Sequence, residues 1–380
     1  MRKYAITSKK IFDGEQFLSN KAIIISENKI EDILDLKDIG SIELIDYQDN
    51  IIAPAFIDLQ LNGCGGVLFN DDISEHTLEV MHKTNLRFGT TSFLPTLITT
   101  SEDNIKKAVE VVTKFHEKHP FNVIGIHIEG PYISKIKKGI HNPIYMKPIS
   151  LEMVEFLVEA GKKVPIKITM APEENSIDRI KQLVDGGVKV SIGHTHADYK
   201  TAKEGIRVGI SFATHLFNAM SPMEGRSPNV VGAVLDSHSV HAGIIVDGYH
   251  VDYASISLVK EIKKDKLYIV TDAVTPMGTD MEQFQFADQT IYVRDGKCEN
   301  KDGTLAGANI DMMTSVANAV NHANISVCEA LRMASLYPAE AMGKSNIIGR
   351  IAKQYVANFV ILDRDYKTVA TIDCGKVIKL

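Results

Sequence analysis

Cysteine is scarce in this chain. Its 380 residues hold four (Cys64, Cys298, Cys328 and Cys374), far apart and with no CxxC pair, which excludes a disulfide framework and a thiolate zinc site and fits a reducing compartment. Long apolar runs are missing too. No stretch approaches the roughly 18 uncharged apolar residues that span a bilayer, and the opening MRKYAITSKKIF lacks the apolar core of a signal peptide, so neither a membrane partner nor export is expected and the chain reads as cytoplasmic. Blocks of like charge are also absent: 42 Lys and Arg and 48 Asp and Glu are dispersed, with a formal net charge of -6, which leaves no nucleic-acid footprint. There is no internal repeat and no low-complexity linker. What is present is 44% hydrophobic residues, enough for one large core or two modest ones, and 13 His. Any metal must therefore be held by imidazoles and carboxylates.

Between about residues 53 and 272, short β-rich runs alternate with helical patterns. The runs cover 55–59, 91–95, 122–128, 166–170, 188–192, 210–214, 243–246 and 267–270. Residues 102–118 set Ile105, Ala108, Val109, Val112 and Phe115 on one helical face, and residues 177–184 do the same with Ile177, Ile180, Leu183 and Val184 before Gly186-Gly187 stops the helix. Eight such strands with crossover helices predict a parallel (β/α)₈ TIM barrel over residues 53–350, where an open doubly wound sheet usually has about five to seven. The ends differ. Residues 1–52 and 351–380 carry short apolar runs broken by Asp13-Gly14, Glu27-Asn28 and Asp365, which predicts a small β-sandwich domain built from both termini. Asp295-Gly296 signals a hairpin inside the last crossover, and the helix containing Val327, Leu331 and Ala334 is expected to stop near Tyr337-Pro338.

In such a barrel functional groups sit at the C-terminal ends of the strands. That rule selects Gln60 and Asn62 after the first run, Glu129 after the third, His194 after the fifth, His215 after the sixth and Asp272 after the eighth. Glu129, His194 and His215 are the ligand class of a catalytic zinc or iron site with positions left open, and Asp272 is the natural carboxylate to take a proton from an activated water. His127, two residues before Glu129, suits a hydrogen-bonded histidine of the barrel interior. His196 falls in the loop beyond His194, and His76, His82, His116 and His119 fall on helical segments as surface residues.

The motifs APAFIDLQLNGCGG, GIHIEGPYI, KKGIHNP, IGHTHA, THLFNAM, IVDGYHVD, IVTDAVTP and DGTLAGA, in this order, resemble the amidohydrolase superfamily and within it the deacetylases of phosphorylated N-acetyl amino sugars. The resemblance covers essentially the whole chain. It implies hydrolysis of the acetamide of N-acetylglucosamine 6-phosphate, with the galactosamine epimer as the alternative. It also implies one divalent metal per subunit, zinc with iron(II) or another divalent ion as alternatives, on Glu129, His194 and His215, with Asp272 as base and then acid. His141 is implied as the oxyanion donor. Arg226 is implied at the phosphate and His250 as another substrate contact, in a homodimer where His250, with Arg226 as a second candidate, acts across the interface; Ile140, Asn218, Ala219, Leu305, Ala306 and Gly307 are implied as further substrate contacts. The basic run Lys135, Lys137 and Lys138 reads more simply as a solvated loop. Many superfamily members carry His-x-His after the first strand, where this chain has Gln60 and Asn62, and 166–172 has no lysine at its C-terminal end to bridge two ions, so a single-metal site is expected. A dihydroorotase-like cyclic-amide hydrolase would be expected to show that His-x-His. A non-catalytic sugar-phosphate binder would need neither the metal ligands nor the aspartate.

Overall fold

The structure is a computed structural model that describes residues 3–379. By its internal contacts the chain divides into two compact units, one of Met1–Asp58, His82–Ser92 and Asp311–Leu380 and one of Leu59–Met81 and Phe93–Ile310.

Eight parallel strands hydrogen-bond in sequence order: β1 (Phe56–Leu61), β2 (Thr90–Ile98), β3 (Ile126–Glu129), β4 (Ile166–Met170), β5 (Lys189–Ile192), β6 (Phe212–Ala213), β7 (His241–Ile244) and β8 (Leu267–Ile269). The ring is closed just beyond β8. There the Asp272 N–H donates to Gln60 O and the Asn62 N–H to Ala273 O, each at 2.9 Å, with Leu61 and Ala273 paired in parallel. A hydroxyl-rich floor crosses the barrel interior. Fully buried His127 shares hydrogen bonds with Thr96 Oγ1 (3.3 Å) and Thr169 Oγ1 (2.7 Å), and Thr214 Oγ1 meets both Thr169 Oγ1 (2.7 Å) and Ser191 Oγ (2.6 Å). Burial first, and Lys167 second, hold His127 well below the usual imidazole pKa, so it is a neutral core residue.

Some local expectations need correction. Pro95 does not end β2: Thr96, Leu97 and Ile98 continue the strand and pair with His127, Ile128 and Glu129. β3 begins only at Ile126, because Gly125 (φ 155°) breaks the run after Val123 has made a single pairing with Phe93. Pro338 lies inside the helix Leu336–Ala341, in its first turn, where a missing N–H leaves no helical acceptor unpaired; the preceding helix Val327–Ala334 stops at Ser335 instead. His76 and His119 are exposed, but His82 reaches Asp373 at 3.3 Å and His116 Nδ1 lies 2.6 Å from Val123 O, so both are half-buried and partnered. The Asp295-Gly296 hairpin forms: Arg294 pairs with Lys297, and both turn residues have positive φ (51° and 81°), the backbone a two-residue hairpin turn requires.

In the first unit the termini form separate sheets. One has four strands (Lys29–Asp35, Lys21–Ser26, Lys3–Thr7, Leu44–Asp46) and the other six (Lys376–Lys379, Thr368–Asp373, Phe359–Leu362, Ile51–Pro54, Lys10–Phe12, Phe17–Leu18). Alternate residues of both, among them Tyr4, Ile6 and Ile25 against Ile52, Phe359 and Ile361, bury one shared core. Ile52 pairs directly with Ile361, so the six-stranded sheet is built from both termini.

Candidate active site and metal centre

Every strand-end residue selected from the sequence lies in the second unit, at the C-terminal ends of the strands. His194, His215 and Asp272 all leave their strands with positive φ (48°, 29° and 52°), a conformation that costs an L-residue about 1–3 kcal/mol and is held only when its surroundings insist. Close packing insists at His194: a Cβ on the preceding Gly193 would lie 2.8 Å from both Thr169 Cγ2 and Thr214 Cβ, so only glycine lets the chain pass.

The three groups meet at one point. His215 Nε2 is 2.9 Å from Glu129 Oε1, His194 Nε2 is 3.1 Å from the same oxygen, and the two imidazole nitrogens are 3.1 Å apart. All three residues are at most 5% exposed. His194 Nδ1 lies 2.8 Å from Lys137 O, an acceptor only, so Nδ1 carries the proton and Nε2 turns a lone pair toward the cluster. Lone pairs of a carboxylate and of an imidazole face each other here, an arrangement that needs a positive charge between them. Burial opposes ionisation of Glu129, but the adjoining His194 and His215 outweigh it and hold its carboxyl well below the usual range. His215 is likewise pushed above its ordinary value, burial being outweighed by Glu129. Two ligands each about 2.0–2.1 Å from a tetrahedral ion stand about 3.3 Å apart, close to the observed triangle. The donor set therefore fits a divalent cation.

His141 is near enough that one atom each of Glu129, His141 and His194 fall within 4.8 Å of one another. Its tautomer sets it apart from the three. Thr99 Oγ1 lies 2.8 Å from His141 Nδ1 and the Thr99 backbone N–H points at the same nitrogen from 3.4 Å. A backbone N–H can only donate, so Nδ1 accepts. Burial, and then His194, hold His141 well below the usual pKa, so the neutral ring carries its one proton at Nε2. It presents a donor rather than a ligand lone pair.

Asp272 is half-buried, and burial followed by the charge of Glu129 raises its pKa above the ordinary carboxylate value. Its Oδ1 accepts from Asn62 Nδ2 at 2.7 Å and from Gln60 Nε2 at 3.0 Å.

A cavity of about 340 Å³, within the range of small-molecule sites, opens over this cluster. Glu129, Ile140, His141, His194, His215, Asn218, Ala219, His250, Asp272, Leu305 and Gly307 line it, as does Asn62. Gln60 and Ala306 are buried and do not line it. Gly307 (φ 69°) is glycine of necessity, since a Cβ there would lie 2.5 Å from Val274 Cγ1 and 2.9 Å from Asp272 O. His250 lines the cavity of its own chain, where Asp247 Oδ2 holds its Nδ1 at 2.6 Å and Asp247 Oδ1 accepts its backbone N–H at 2.9 Å. Arg226 is exposed on the turn between Glu224 and Ser227 and does not line the cavity. Lys137, read as part of a solvated loop, does line it. His196 is exposed, its backbone N–H donating to Glu173. A strand ending at Pro95 hides Thr99; with β2 running to Ile98, Thr99 is the first residue beyond its end.

Fold and site together define a class, the (β/α)₈ barrels that assemble a metal-dependent hydrolytic centre at the C-terminal mouth. Residues 51–380 match the amidohydrolase family, and the chain belongs to it. It is 45% identical to an N-acetylglucosamine-6-phosphate deacetylase of Haemophilus influenzae over 378 residues, which cover 98% of this chain and 99% of that protein. It is 36% identical over 330 residues to an N-acetylgalactosamine-6-phosphate deacetylase of a Shewanella species, covering 86% of this chain and 83% of that protein. The crystal structure of N-acetylglucosamine-6-phosphate deacetylase from Pasteurella multocida matches the full length of both chains with a TM-score of 0.97 at 45% identity.

Proposed function

We propose that this chain hydrolyses the acetamide of N-acetyl-D-glucosamine 6-phosphate to D-glucosamine 6-phosphate and acetate. The observation that carries the reading is the convergence of Glu129, His194 and His215 within 3.1 Å of one another, with Asp272 beside them, in a chain 45% identical to a deacetylase of that substrate. Glu129, His194 and His215 would hold one divalent cation, zinc or iron(II), which when bound supplies the Lewis acidity that makes a water nucleophilic near neutral pH. Asp272 takes the proton the attacking water gives up and returns it to the sugar nitrogen as the C–N bond breaks, so the products are the amine and acetate. His141 donates from Nε2 to the acetyl oxygen as that oxygen takes on negative charge, a contact of the kind worth about 3–4 kcal/mol when a single donor is removed.

His250, oriented by Asp247, lines the cavity together with Lys137, whose ammonium supplies positive charge for the phosphate. Arg226 belongs to the same task in a homodimer, reaching the substrate of a second copy from its exposed turn. Ile140, Asn218, Ala219 and residues 305–307 contact the sugar. In this reading the barrel of residues 53–350 carries the chemistry, and the small β domain of residues 1–52 and 351–380 is accessory to a cytoplasmic enzyme. No helix among the described residues is long and apolar enough to cross a membrane.

The test is acetate release from the two epimeric sugar phosphates by the purified protein, with metal content measured on the same sample. Turnover of the glucosamine substrate well above that of the galactosamine one, with close to one ion per chain, is expected. Dominant turnover of the galactosamine epimer would move the assignment to the second substrate. Absence of release from both would end the proposal, and two tightly held ions would mean that Gln60 and Asn62 are ligands after all.

A further inference from the structure

Gln60 and Asn62 stand where many members of the superfamily carry metal-binding histidines, yet both turn amide NH₂ groups toward carboxylates. The orientation follows from chemistry. Gln60 Nε2 is 3.1 Å from Glu129 Oε2 and 3.0 Å from Asp272 Oδ1, and only an NH₂ group, with two hydrogens, serves two acceptors at once. Asn62 Nδ2 adds a donor to Asp272 Oδ1 at 2.7 Å, while Asn62 Oδ1 is buried without a hydrogen-bond partner among the described residues. The two acids are therefore divided oxygen by oxygen. Glu129 gives Oε1 to the imidazole cluster and Oε2 to Gln60, and Asp272 gives Oδ1 to both amides. No hydrogen bond engages Asp272 Oδ2 among the described residues, and Asp272 lines the cavity.

We infer that Gln60 and Asn62 are positioning residues for Asp272: two amide donors pin Oδ1 and leave Oδ2 as the oxygen that takes the proton and gives it back. The inference rests on the proton-carrying role proposed above for Asp272 and extends it to the first strand. Charge-assisted bonds from two directions fix the carboxylate plane, so the working oxygen is held at one place instead of swinging between two. Gln60 also ties that plane to the ligand carboxylate, so that Glu129 and Asp272 are oriented as a pair. Amides suit the task because, unlike imidazoles, they neither titrate in the working pH range nor compete for the cation.

The experiment compares Asn62→Leu, Gln60→Met and the equal-sized Asn62→Asp, which exchanges the donor for an acceptor, with the wild-type metalloprotein. Measured for each are kcat, KM, bound metal and melting temperature. The expected result is a fall in kcat of about 100-fold, the size of effect that misplacing a reacting group by an ångström produces, with KM within about threefold and metal still near one per chain. Wild-type turnover together with kcat kept within threefold in all three variants overturns the inference while leaving the deacetylase reading intact. Loss of metal in proportion to activity also overturns it, since the amides would then serve the ion. A wild type without turnover overturns both readings. A lowered melting temperature with kcat per folded molecule unchanged assigns the amides a purely structural part and overturns it as well. Should either apolar variant fail to fold, Asn62→Asp, which preserves shape, decides on the same terms.

Discussion

Thr99→Val is a narrow test of how His141 is set up. Valine puts a methyl group where threonine has its hydroxyl, and Thr99 is only 5% exposed, so the change removes one hydroxyl from a packed position. That hydroxyl lies 2.8 Å from His141 Nδ1, much nearer than the 3.5 Å separating it from its other acceptor, Glu129 O. A neutral hydrogen bond contributes about 1 kcal/mol net. Removing it weakens the preference for the Nε2–H tautomer by about that amount, a factor of about five in the tautomer ratio and at most about fivefold in rate. The backbone N–H at 3.4 Å still disfavours the other tautomer, which keeps the loss from approaching that of deleting the ring. Because the donor acts on charge that develops in the transition state, kcat and kcat/KM should fall together, by up to about fivefold, with KM and bound metal unchanged. His141→Leu should cost about 10²–10³-fold. The decisive measurement is the double variant. If Thr99 acts through His141, Thr99→Val should add nothing in the His141→Leu background. Fully additive losses, or a Thr99→Val variant short of metal, would refute the tautomer argument. Thr99→Ser, which restores the hydroxyl, should recover most of the rate.

Other perturbations reach different parts of the site. Asp272→Asn should keep the fold and about one ion per chain while losing about 10²–10⁴ in kcat, and near-normal turnover would remove the proton-carrying role. Lys137→Gln and Arg226→Ala should each raise KM about tenfold for the phosphorylated sugar and little for the unphosphorylated one; equal effects on both substrates would withdraw that residue from the phosphate site. Gly307→Ala places a Cβ 2.5 Å from Val274 Cγ1 at a φ of 69°, so it should destabilise by about 1–3 kcal/mol and lower kcat through the neighbouring Asp272 backbone, whereas a variant with wild-type melting and rate would show that the turn has slack.

Periodicity made the barrel legible. Ile166–Met170 and Glu102–Lys118 stand where the pattern of their apolar residues put them, since each has an uninterrupted run of one period. The strand-end rule then reached Glu129, His194, His215 and Asp272 unaided, because it needs only the strand count and the polar residue that ends each run. Where it failed, a local signal had been overruled. Pro95 looked like a terminus, but one missing donor does not stop a strand whose next three residues pair with β3, and Thr99 was lost with it. Lys137 could not be told from Lys135 by composition. The first lines the cavity and the second is exposed, a difference made by the path of the loop that brings Lys137 O to His194. Asp247 went unread for a related reason: its hydrogen bonds to His250 depend on the turn that carries both residues.

The seam of the barrel links its folding to its chemistry. The backbone bonds that join the end of β1 to the chain after β8, Asp272 N–H to Gln60 O and Asn62 N–H to Ala273 O, involve the same residues whose side chains meet at Asp272 Oδ1. Side chains alternate along a strand, so a slip of one residue at this seam would turn Gln60 and Asn62 to the opposite face and leave Leu61 opposite the aspartate. Register at closure is thus a condition for the proton carrier to have its partners. The metal cluster is less exposed to that hazard, because Glu129, His194 and His215 come from β3, β5 and β6, which are joined to one another through strands that do not cross the seam. A barrel closed out of register would therefore still gather its ligand cluster while lacking an oriented base. On that ground the proposed roles divide within one mouth: the ligands proposed for the cation lie on one side of the barrel, and the proposed proton carrier with its two amides lies at the closure.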